Sequence, residues 1–144
     1  MSVNPEMIIK KVEIGTSSLN KRIEAVNKMC EAGYRVGLLI APVILIDSWK
    51  ELYVELLNTL FERLSDKVKS EMFLEVIFMT YSYVQNAINN QAFPGALRLY
   101  NRELMTGRGR GKYYYRQEYR DEAEAFLIKE IKNRFKSAEI VYVV

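Results

Sequence analysis

Residues 34–45, YRVGLLIAPVIL, decide the fold class. The run is almost wholly apolar, rich in β-branched side chains and too short for a core helix, which describes a strand buried on both faces in a parallel sheet. Pro42 cannot donate to a ladder and is expected to end it. Immediately upstream, SSLNKRIEAVNKMCEAG (17–33) changes period: Leu19, Ile23, Val26 and Cys30 recur three or four apart, on one helix face. Ser17 or Ser18 is placed to cap its start and Gly33 to close its end.

Working outward, the alternation continues. Asp47 and Ser48 open a second helix, with Ser48 and Glu51 spaced as a capping box. Trp49, Leu52, Leu56, Leu60 and Leu64 line its apolar face. EMFLEVIFM (71–79) reads as a second strand and SYVQNAINNQ (82–91) as a short helix stopped by Phe93-Pro94-Gly95. DEAEAFLIKEIKNRF (121–135) is an amphipathic helix with Leu127, Ile128, Ile131 and Phe135 inward, and EIVYVV (139–144) a final strand. Helix–strand alternation predicts an α/β fold with parallel pairing. Three or four strands are too few to close a barrel, and SVN at residues 2–4 has the look of a strand's tail. The expectation is one domain over residues 1–144, belonging to a larger α/β protein, with an unpaired sheet edge that favours self-association.

Composition narrows function. The 144 residues are 49% hydrophobic and 27% charged, an ordinary globular balance. No apolar stretch approaches the roughly 18 residues of a membrane span, and the first residues lack a signal peptide's apolar core, so a cytoplasmic protein without membrane contact is expected. The absence of histidine removes imidazole relays and His-bound zinc. The single cysteine, Cys30, excludes a disulfide or a self-contained cluster site and is expected to be a helix-core residue. No catalytic residue and no metal ligand is assigned. In GTSSLNKR (15–22) a capped turn is expected, with Glu13 and Arg22 paired.

The net charge of +3 is unevenly spread. Residues 102–116 carry Arg102, Arg108, Arg110, Lys112 and Arg116 against the lone anion Glu103, a local +4 on an otherwise near-neutral chain. Within them, TGRGRGKYYYR (106–116) alternates glycine with arginine and then runs into three tyrosines. Glycine permits close backbone approach, arginines meet phosphates, and aromatic rings stack on unpaired bases. The stretch reads as a hairpin over about 102–116, with Tyr113 and Tyr115 on one face and Lys112, Tyr114 and Arg116 on the other. Arg108, Arg110, Lys112, Tyr113 and Tyr115 are the candidate DNA contacts.

SVNPE (2–6), GTSSLNKRIEA (15–25), EAGYRVGLLIAP (31–42) and MTGRGRGKYYY (105–115), in that order, resemble the carboxyl-terminal half of spore photoproduct lyase. That family consists of radical S-adenosylmethionine enzymes that repair DNA. The resemblance implies a partial TIM-type barrel fragment ending in a hairpin and a helix. It implies that an amino-terminal half, absent from this sequence, holds a [4Fe–4S] cluster on a CxxxCxxC loop and supplies the hydrogen-donating cysteine. It further implies that Ser2, Asn4 and Ala41 line the S-adenosylmethionine pocket, that the hairpin grips DNA containing a thymine dimer photoproduct, and that the complete protein returns the lesion to two thymines. On this reading the chain alone is inactive. Two alternatives remain: a freestanding nucleic-acid-binding module without catalysis, and a related radical enzyme with another substrate.

Overall fold

The computed structural model describes every residue except Arg108 and Arg110. The chain forms β1 (Ser2–Val3), α1 (Glu6–Lys11), α2 (Leu19–Glu31), β2 (Gly37–Val43), α3 (Trp49–Arg63) and α4 (Asp66–Glu71). It continues through β3 (Phe73–Phe78), β4 (Tyr81–Ser82), α5 (Tyr83–Ala92), β5 (Met105–Gly107), β6 (Lys112–Tyr115), α6 (Gln117–Arg134) and β7 (Glu139–Val143). Strands β1-β2-β3-β7 make one sheet, in that order, and every pairing is parallel. The expected α/β class with a parallel sheet is therefore what the chain adopts. Among the described residues this sheet is open and no closed barrel is seen.

Strand alternation sets the core. Along β2 and β3, Leu38, Ile40, Val43, Leu74, Val76 and Phe78 are buried, and they join one cluster with Leu56, Leu57 and Leu60 of α3 and Leu127 and Ile131 of α6. The residues between them (Gly37, Leu39, Ala41, Phe73, Glu75, Ile77) are only partly covered. Ser2, Leu39, Glu75 and Tyr142 lie in one register row across this second face. YRVGLLIAPVIL is thus buried on one face, not two. That is unusual for a parallel sheet, whose two faces are normally both packed.

Helix α2 follows its sequence closely. Ser18 accepts from the Lys21 backbone N–H, and Gly33, at φ +90°, lets Tyr34 N–H donate to Met29 O at 3.1 Å, closing the last turn. Elsewhere the chain departs from expectation. Pro42 does not end β2: it sits inside the strand, where the register with β3 shifts between Ile40 and Val43, the kind of irregularity that tolerates a missing donor. The Ala41–Pro42 peptide is cis. The Ser48–Glu51 capping box does not form: Ser48 adopts a left-handed backbone (φ 59°), and its side chain makes no capping hydrogen bond. The buried face of α3 is shifted accordingly, with Tyr53 and Leu57 inward and Leu52 half-covered. Helices α1 and α4 and the two-residue β4 were not foreseen, and α6 begins earlier than its apolar pattern.

Strands β5 and β6 pair antiparallel, as the expected hairpin requires, and β4 adds a third strand in the order β4-β6-β5. This sheet stands beside the carboxyl end of β2, because Leu45 N–H donates to the Tyr115 hydroxyl at 2.9 Å.

Candidate functional site

Three of the expected pocket residues meet at one atom. The Ala41 carbonyl accepts both the Ser2 hydroxyl (2.8 Å) and the Asn4 side-chain amide (3.0 Å). Asn4, fully buried just past β1, gives its other Nδ2 hydrogen to Glu13 Oε1 at 2.7 Å. The remaining Glu13 oxygen takes Arg22 Nη2 at 2.6 Å, as the sequence suggested. Arg22, only 6% exposed, also donates to the carbonyls of Ser17 (2.9 Å) and Ser2 (3.2 Å) and to the Thr16 hydroxyl (2.7 Å). Beneath them the Tyr53 hydroxyl accepts Ile44 N–H at 2.9 Å and faces Asn4 Oδ1 at 3.5 Å. Burial drives the Tyr53 pKa far above the ordinary tyrosine value.

This network fastens the ends of β1 and β2 to the loop before α2. It also divides the expected pocket residues by role. Asn4 has no accessible surface, and both of its amide hydrogens are used within the chain. Ser2 is partly exposed and borders an open cleft of about 360 Å³ with Thr16, Lys21 and Arg22. Its hydroxyl keeps lone pairs free to accept from a ligand.

The hairpin is anchored by aromatic rings. The Tyr113 ring lies between Tyr83 (centroids 4.3 Å apart) and Tyr100 (4.0 Å), joining β6 to the start of α5 and to the 93–104 segment. A Cβ at Gly107 would meet the Tyr83 hydroxyl, so a side chain there forces the Tyr83 ring to move. Tyr115 is 4% exposed, meets Phe78 edge-on, and its pKa is pushed up to about 12 by burial. The ring of Tyr115, one of the expected DNA contacts, packs in the core, and its hydroxyl accepts from Leu45 N–H. Tyr113 is half-buried with stacked neighbours, so its ring is a strut more than an open platform. Lys112 is exposed at the start of β6. The expected contacts Arg108 and Arg110 lie outside the described residues.

Cys30 is buried in α2, and among the described residues no group of three or more acidic or cysteine side chains is placed to hold a metal. The carboxylates on α2 and α3, Glu24, Glu51 and Glu62, are exposed. Among those residues, too, no helix is long and apolar enough to cross a membrane. Sequence reasoning missed Tyr53, Tyr83 and Tyr100. Only Tyr53 left a signal, as a polar-tipped residue set between Leu52 and Val54 of α3.

An open parallel sheet with a polar network at the ends of β1 and β2, and a hairpin tied beside them, is an α/β architecture, a class whose ligands commonly sit at the carboxyl ends of the strands. The comparisons make this specific. The sequence model of the family described as spore photoproduct lyase matches residues 1–144, and the chain belongs to that family. It is 33% identical to a spore photoproduct lyase of Clostridium acetobutylicum over 149 residues, covering 99% of this chain and 43% of that relative. A Bacillus subtilis spore photoproduct lyase is 32% identical over 145 residues, with 98% and 42% covered. A solved spore photoproduct lyase variant with bound AdoMet and dinucleoside spore photoproduct superposes with a TM-score of 0.90 at 28% identity, covering 99% of this chain and 43% of that one. Another, complexed with dinucleoside spore photoproduct, matches equally. The chain thus spans less than half the length of the relatives it matches.

Proposed function

We propose that residues 1–144 act as one unit, the carboxyl-terminal part of a radical S-adenosylmethionine lyase that returns the spore photoproduct in DNA to two thymines. The observation that carries the reading is the half-covered face of the parallel sheet, with Ser2, Leu39, Ala41 and Glu75 partly exposed on it. Parallel sheets pack both faces, and a partial barrel would turn this one toward its lumen. The short coverage of the relatives supports the same view, and the AdoMet in one relative supports the cofactor.

The residues fit the two cofactor components differently. A [4Fe–4S] cluster does not fit this chain, whose one cysteine is buried in α2, so its ligands belong to the amino-terminal part. S-adenosylmethionine fits better. Ser2 offers a partly exposed hydroxyl beside an open cleft, and the Ala41 backbone lies next to it. Asn4 acts from beneath, through Glu13 and Arg22, as a positioning residue. When bound to the complete enzyme, the cofactor supplies a 5′-deoxyadenosyl radical. This chain's own part is to hold the strand ends in place and to present the hairpin, with Arg108, Arg110 and Lys112 meeting the phosphates of the damaged strand. By the logic of enzymes that act on a base, the lesion leaves the stack to reach the strand mouth. The freestanding binding-module reading is less favoured, because it leaves the sheet face uncovered.

The test is a fluorescence anisotropy titration of the chain with labelled DNA containing one spore photoproduct. Replacing Arg108, Arg110 and Lys112 together by Gln is expected to weaken binding at least tenfold and to flatten its salt dependence. Unchanged affinity would remove the hairpin from the DNA site.

A further inference from the structure

Between the hairpin and α5 the chain runs irregularly through residues 93–104, and Leu97–Tyr100 form the shared wall of two concavities. One, about 380 Å³, opens toward α5, with Asn86, Asn89 and Asn90 opposite. The other, about 530 Å³, opens toward Leu45, Ile46 and Asp47, just past the carboxyl end of β2. Arg98 lines both, and Arg102 lines the second. Both arginines are exposed, and neither makes an ion pair or hydrogen bond among the described residues. Asp47 is the carboxylate among the residues that line the second concavity, against Arg98 and Arg102, so its lining carries a net positive charge. Tyr100 lines both concavities while its ring is held against Tyr113. Asn89 is engaged with Gln85 and Tyr81, but Asn86 and Asn90 keep their amides free of protein partners among the described residues.

We propose that the second concavity is a second nucleotide subsite. It takes an unpaired deoxynucleotide next to the lesion, its phosphodiester between Arg98 and Arg102 and its base against Tyr100. The inference rests on the reading that the hairpin meets DNA, and extends it to residues outside the hairpin. Three features argue for a strand of nucleic acid over solvent. Guanidinium groups match phosphate oxygens in a fixed fork and part with water more readily than ammonium groups. An aromatic ring and cations lining one cleft, as Tyr100, Arg98 and Arg102 do, suit a single strand bound without reading its sequence. And the cleft is continuous with the strand mouth, since its wall begins at Leu45, whose N–H holds Tyr115 of the hairpin. A strand reaching the hairpin therefore passes over Arg98 and Arg102. A dinucleoside carrying only the lesion would leave the cleft empty.

The experiment is anisotropy of the 144-residue chain with a labelled single-stranded DNA of about twelve nucleotides, at several salt concentrations, and competition by the thymidine dinucleoside monophosphate. Arg98→Gln and Arg102→Gln, both exposed and therefore neutral to folding, are each expected to weaken the oligonucleotide on the order of 3- to 10-fold. Each should lower the salt slope by about 0.7, leaving dinucleoside competition unchanged. Lys136→Gln, the same loss of charge at the amino-terminal end of β7, is expected to change neither. If Arg98→Gln and Arg102→Gln behave like Lys136→Gln while Lys112→Gln weakens binding, the cleft is no subsite although the hairpin reading stands. If Lys112→Gln is also silent, or the chain binds no oligonucleotide, both fail. Tighter binding of the matching RNA would overturn the assignment to DNA.

Discussion

Replacing Arg22 by Met tests whether the network beneath Ser2 holds the site. The guanidinium is the hub: one contact to Glu13 at 2.6 Å, one to Thr16 at 2.7 Å, and two to backbone carbonyls at 2.9 and 3.2 Å. Arg22 and Glu13 side chains are 7% and 16% exposed, so water replaces little of what is lost. Glu13 would keep only Asn4, and the carbonyls of Ser2 and Ser17 would lose their donor. Removing one partner of a buried pair costs about 3–5 kcal/mol. Against a total stability of roughly 5–15 kcal/mol for a domain of this size, that is a large share. In urea denaturation followed by far-UV circular dichroism, the midpoint should fall by about 2 M with an unchanged slope. The comparison is Arg35→Ala, which breaks the exposed pair with Glu139 (2.9 Å, side chains 67% and 63% exposed) and should cost roughly 0–1 kcal/mol. Substituting Glu13→Leu together with Arg22→Met should recover part of the loss, since no unpaired charge then remains. Equal, small effects of Arg22→Met and Arg35→Ala would refute the reasoning that burial gives this pair its weight.

Other outcomes follow from single contacts. Tyr53→Phe strands the buried Ile44 N–H and is expected to cost about 1–3 kcal/mol, seen as a lower thermal midpoint. Gly107→Ala should destabilise the hairpin and separate Tyr83 from Tyr113, with Tyr83→Phe in the same chain partly restoring it; near-UV circular dichroism of the stack reports both. In an alkaline titration read at the phenolate band, Tyr53 and Tyr115 should stay protonated above the ordinary tyrosine value of about 10. Both pKa values are raised by folding, Tyr115 to about 12, so their contribution is complete below the unfolded value of about 10 and is lost as the pH climbs toward the folded value. Tyr53→Phe and Tyr115→Phe chains should consequently lose less stability between pH 10 and 12 than the parent.

Much of the fold could be read from periodicity. YRVGLLIAPVIL announced β2, and the spacing of Leu19, Ile23, Val26 and Cys30 announced α2 together with its Ser18 and Gly33 ends. The hairpin was visible because glycine and charge cluster where a chain turns. Other features leave no such trace. Helices α1 and α4 have six residues each, too few to show a face. Ser48 fits the capping pattern but takes a left-handed backbone, which a pattern of residue types does not encode. The burial of Tyr115 and the stacking of Tyr83, Tyr100 and Tyr113 arise from tertiary packing of segments distant in sequence. KYYY alternates correctly on paper, yet only the packed structure tells which ring faces the core. The site was legible in part: Ser2, Asn4 and Ala41 do converge, but the direction in which Asn4 spends its hydrogen bonds required coordinates.

The most direct measurement joins this chain to the amino-terminal part of the Clostridium acetobutylicum relative, in place of the segment it matches, and follows release of thymidine dinucleotide from spore-photoproduct DNA under reducing conditions with S-adenosylmethionine. The account predicts turnover by the joined protein, none by the 144-residue chain by itself, and a marked loss when Arg108, Arg110 and Lys112 become Gln. Repair by the isolated chain, or an inert chimera that folds and carries its cluster, would contradict it.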